Sequence, residues 1–64
     1  MISGTVKKWS KDDGWGFIEG DDGEDYFLHV SNIRTGQLIS PNCRVKFDIT
    51  QGQRGPEAEN VTLY

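Results

Sequence analysis

The chain has 64 residues, ten acidic and seven basic side chains, and a net charge of -3 with its one histidine neutral. A chain this short hides only about 60% of the surface its unfolded form exposes, which supports one modest core and excludes two lobes around a substrate cleft. Cys43 is the only cysteine, so a disulfide and a cysteine zinc cluster are excluded as staples, and no metal or cofactor is expected.

Residues 1–64 read as a single all-β domain, with strands expected at about 2–9, 15–19, 25–30, 43–50 and 57–63. Ile2 and Val6 of the first strand face inward, with Thr5, Lys7 and Trp9 opposite. In the fourth, Cys43, Val45, Phe47 and Ile49 alternate with Arg44, Lys46, Asp48 and Thr50. In the fifth, Val61 and Leu63 alternate with polar neighbours. Glycines separate these short runs, and no window carries apolar residues at helical spacing for three turns. Five short strands suggest a small closed or nearly closed barrel, since closure removes exposed edges. Ser31 to Asn42 would cross between strands three and four.

Strands two and three do not alternate between apolar and polar. Period two assigns Ile18, Tyr26, Leu28 and Val30 to one face, and Trp15, Phe17, Phe27 and His29 to the other. The remaining strands supply apolar residues for a single interior, so one of these faces is left to solvent. The aliphatic set matches that interior, which leaves the aromatic set outside. Leaving large rings in water forgoes roughly 1.5–3 kcal/mol of burial apiece, and contiguous patches of this kind mark binding sites. The plainer reading is that the rings are cross-strand pairs supporting the sheet. Flat exposed rings suit unpaired bases, which stack on them with little dependence on sequence, whereas duplex bases are already stacked.

On these residues the chain resembles the cold-shock domain family. Gly14-Trp15-Gly16-Phe17-Ile18 is similar to its first ribonucleoprotein motif and Tyr26-Phe27-Leu28-His29-Val30 to its second. Lys7 near a tryptophan, Asp25, Ser31-x-Ile33, Arg54-Gly55-Pro56 and Ala58-x-Asn60-Val61-Thr62 extend the likeness from about Gly4 to Thr62. In the RNA-recognition-motif fold the second motif precedes the first and two helices intervene, which does not fit this order. The resemblance implies a five-stranded antiparallel OB-fold barrel binding single-stranded RNA or DNA, and a role as an ATP-independent RNA chaperone or a regulator of transcription or translation. Carried over by position, Trp15, Phe17, Phe27 and His29 form the stacking platform, with Lys7, Arg54 and Asp25 around its rim.

Four departures reduce the expected footprint or affinity. Lys8 stands where the family usually has tryptophan and Trp9 where it has phenylalanine. Both are kept as candidates, because strict alternation puts Trp9 beside Lys7 unless a bulge intervenes. Val30 ends the second motif in place of phenylalanine, and Asp13 replaces a basic residue before the first. The connection after Ile33 is about two residues short, and residues 34–39 contain no aromatic.

The net negative charge is deceptive. Glu19, Asp21, Asp22, Glu24 and Asp25 lie in one turn, and without those five the charge moves from -3 to +2. The turn is read as a solvated hairpin, since it lacks the ligand spacing of a calcium loop. His29 is the only imidazole, with Asp25 or Ser31 as conceivable neighbours, but an exposed sheet face with no deep pocket argues against an enzyme. The rival reading is an OB-fold protein-interaction module whose nucleic-acid platform is depleted. A monomer is expected, with strand exchange through 34–42 as the route to a dimer. No apolar run approaches a membrane span, and a free thiol without a secretory start suggests the cytoplasm.

Overall fold

The computed structural model describes residues Met1–Tyr64. Five strands appear in chain order: β1 (Ile2–Ser10), β2 (Trp15–Gly20), β3 (Asp25–His29), β4 (Arg44–Gly52) and β5 (Gly55–Leu63). A short 3₁₀ turn, Val30–Asn32, follows β3. The strands close into a barrel in the order β1-β2-β3-β5-β4. Every seam is antiparallel except β3 with β5, which run parallel and share one registered pair, Phe27 with Glu57. Past the end of β3, the same seam continues through an Ile33–Val61 bridge and an Arg34 N–H donated to the Val61 carbonyl at 3.0 Å.

Val6, Ile18, Tyr26, Leu28, Val45, Phe47, Ala58 and Val61 fill the interior. One small core closed on itself is the solution open to a chain of this length. Three expected members lie elsewhere, the first being Leu63, 38% exposed as the last residue of β5. Val30 is 51% exposed because the chain turns into the 3₁₀ segment at that residue and leaves the pleat. Ile49 stands opposite the buried Ala58 but is 45% exposed. Cys43 sits just before β4, half-buried against the core.

Two bulges shape the barrel. In β1, Val6 pairs with Ile18 and Lys8 with Phe17, so Lys7 is the extra residue. In β5, Asn60 takes φ 55°, the left-handed conformation that asparagine tolerates, and the register against β4 slips by one there. That slip is why Ala58 and Val61, an odd number of residues apart, both point inward. The β4–β5 hairpin is longer than expected. Pairing continues to Gly52 with Gly55, leaving Gln53 and Arg54 as a two-residue turn. Gly55 at φ 94° lets the chain reverse there.

The acidic turn between β2 and β3 is tied down at two points. Arg44 donates to both oxygens of Asp21 at 2.7 Å and to Thr5 Oγ1 at 3.2 Å, and this bidentate pair holds the Asp21 carboxyl below its usual range. The Tyr26 hydroxyl donates to Asp22 at 2.5 Å. That bond holds Asp22 low and, with burial of the phenol, pushes Tyr26 up to about 12.

Candidate nucleic-acid interface

The aromatic face is built by register. In the β2–β3 ladder Phe17 stands opposite Phe27 and Trp15 opposite His29, and directly opposed residues share a face. Phe17 meets Phe27 edge-on at 5.9 Å and Trp15 edge-on at 5.9 Å, while Trp15 and Phe27 stack at 6.3 Å with planes 22° apart. His29 lies 6.5 Å from Phe27. Glu19 and Asp25 are paired at the far end of the same face and close it with negative charge. Between the rings the backbones come close: a Cβ at Gly16 would strike the Lys8 carbonyl, which accounts for glycine between Trp15 and Phe17.

The bulge at Lys7 decides the neighbouring strand. It moves Lys8 onto the platform face opposite Phe17, with Nζ 4.9 Å above the Trp15 ring. The same shift turns Trp9 opposite the buried Gly16, where it packs against the core. Trp9 therefore does not replace the missing platform ring; it lines a groove of about 500 Å³ with Val30, Leu38 and Ile39. Lys11 and Arg34 also line that groove, and no carboxylate does. Alternation could not reveal the groove, because both the bulge and the 3₁₀ turn that create it interrupt the two-residue period.

Cations cover the rings. Arg54, at the tip of the β4–β5 turn, sets its guanidinium 4.9 Å over Phe27. Under that cap and between its neighbours Phe27 is only 8% exposed, against 39% for Phe17. Phe27 is thus not the open ring that period two implies. It lies on the outer face but is shielded by a mobile type of side chain rather than by the core. Exposed cation–π contacts of this kind contribute only about 0.5–1 kcal/mol, so neither cap is held firmly. Lys7, on the rim, lies 3.5 Å from Glu19. Trp15, Phe17, Phe27, His29, Lys8 and Arg54 are brought together, Lys7 and Asp25 sit at the edge, and Trp9 is turned away.

A closed five-stranded barrel carrying clustered rings on two adjacent strands, with cations against them, is an OB-type nucleic-acid-binding domain. A family model described as 'Cold-shock' DNA-binding domain matches residues 2–64. The chain belongs to the cold-shock domain family, whose members bind nucleic acid and are not enzymes. It is 47% identical to "Cold shock protein" of Arthrobacter globiformis, over 98% of each chain. It is 49% identical to "Cold shock protein ScoF" of Streptomyces coelicolor over 97% of each chain. Against "Major cold shock protein" of Streptococcus pyogenes serotype M1 the identity is 42%, over 97% of this chain and 96% of that one. Among solved structures, Drosophila Unr CSD456 superposes with a TM-score of 0.80 at 20% identity, covering 98% of this chain and 26% of that one. That likeness concerns the fold.

Proposed function

We propose that this protein binds single-stranded RNA or DNA by stacking successive bases on Phe17, Phe27, Trp15 and His29, and so acts as an ATP-independent chaperone that keeps strands unpaired. The observation that carries this reading is the opposed Phe17–Phe27 and Trp15–His29 pairs on one outer face. Cross-strand support of the sheet and ligand binding are compatible roles for these rings, since a base adds to the stack without breaking the pair. Lys8 and Arg54 leave the ring faces as bases arrive and turn to the phosphates, so the caps become rim contacts. With one ring fewer on β1, the footprint is short.

The test is an oligonucleotide titration followed by tryptophan fluorescence, comparing single-stranded DNA, RNA and duplex. Quenching by the single strands alone is expected, because a base stacked on the Trp15 indole quenches it. No quenching by either strand would count against the reading and favour a protein partner for the same face.

A further inference from the structure

We propose that Ser31 sets the tautomer of His29, so that the platform ends in a neutral ring offering a fixed outward N–H to an acceptor on a bound base. This rests on the single-strand reading above and adds to it a source of discrimination.

His29 is the last residue of β3 and caps the 3₁₀ turn Val30–Asn32. Its Nδ1 lies 3.1 Å from the backbone nitrogen of Ser31 and 2.8 Å from Ser31 Oγ. The two contacts differ in what they prove. A hydroxyl can donate or accept, but a backbone amide only donates, so Nδ1 must present a lone pair. The Ser31 hydroxyl can then turn its own proton toward the same nitrogen. The ring proton is left on Nε2. The opposite tautomer would set one N–H against another across 3.1 Å and would cost the turn its cap.

Nε2 has no partner within the protein, and His29 is exposed on the face it shares with Trp15. Phe17 and Phe27 respond to the flat face of a base and not to its edge. A donor held at their border responds to the edge, and it rewards a base that places a carbonyl oxygen or bare ring nitrogen there. Ser31 is a positioning residue in this scheme, since it acts through His29 and need not touch the ligand.

The experiment uses the full chain, whose single histidine makes the ring-nitrogen resonances unambiguous. At neutral pH the chemical shifts should show Nδ1 bare and Nε2 protonated. Ser31→Ala keeps the amide and loses only the hydroxyl, so Nδ1 should stay bare, whereas Ser31→Pro, which removes the amide proton, should move both nitrogens toward a mixture of tautomers. The second arm uses oligo-thymidine strands in which one base at a time is replaced by difluorotoluene, a thymine-shaped ring that accepts hydrogen bonds poorly. One position should lose about fivefold in affinity, the worth of one neutral hydrogen bond. His29→Phe, which keeps a ring without the donor, should erase that loss while still binding the strand. A protonated Nδ1 would overturn the clasp, and a positional penalty that survives His29→Phe would overturn the donor. If no strand binds at all, the single-strand reading fails and takes the donor role with it, while the nitrogen shifts still decide the clasp.

Discussion

Phe17 and Phe27 face each other across one ladder but differ in what their loss should do. Phe17 is 39% exposed, so Phe17→Ala should leave the melting temperature nearly unchanged. It should weaken oligo-pyrimidine binding by about 1–3 kcal/mol, roughly 5- to 150-fold. Phe27 is nearly enclosed by Trp15, Phe17 and Arg54, so Phe27→Ala should cost a similar amount of affinity and also lower the melting temperature. Unchanged affinity in both variants would remove the platform. At this scale the rings were legible in the sequence because two consecutive strands carried more large side chains than one interior could take. The caps were not. Lys8 over Trp15 and Arg54 over Phe27 depend on a bulge and on the reach of a distant turn, neither of which leaves a periodic trace.

Among the elements, the hairpin joining β2 and β3 carries half the acids, and its two ties respond to opposite ends of the pH scale. The Tyr26 phenol titrates at about 12, above its ordinary value of 10.0, because its hydroxyl is bound to Asp22. Its contribution to stability is complete below pH 10 and is lost as pH rises through the interval to 12. The unfolding free energies of wild type and Tyr26→Phe should therefore differ by a constant amount up to pH 10 and converge above it; a gap that stayed constant to pH 12 would rule out this tie. Asp21 and Asp22 are shifted the other way, by Arg44 and Tyr26 respectively. What they contribute is present above the usual carboxylate range and disappears only as pH falls through their lowered values. Strand positions were readable to within a residue or two where apolar and polar residues alternate, as from Val45 to Phe47. The β4–β5 hairpin was underestimated because Gly52, Gly55 and Pro56 look like loop residues, although glycine at positive φ is what lets the ladder run to its tip.

For the whole molecule, charge and ring stacking make different forecasts. A protein with a net charge of -3 that binds a polyanion cannot rely on its overall field. Lys7, Lys8 and Arg54 offer about three phosphate contacts, so log affinity against log salt should fall with a slope of only about -2 on a single strand. A slope near -6, measured by repeating the titration across salt concentrations, would assign binding to electrostatics and leave the rings with a minor part. The acidic composition alone argues against a nucleic-acid binder, and the grouping of five acids in one turn removes that objection. The barrel's topology carries one more consequence. Its parallel seam has a single registered pair between β3 and β5, and that pair includes Phe27. Phe27, the central ring of the aromatic face, is thus also the latch of the closed sheet. On the proposed stacking mode a strand seated there would hold the latch shut, so ligand occupancy and resistance to unfolding would be two readings of one equilibrium. At a hundred times the dissociation constant, such linkage should raise stability by about 2.7 kcal/mol, and for so small a core the nucleic acid would become a structural component of the fold it occupies.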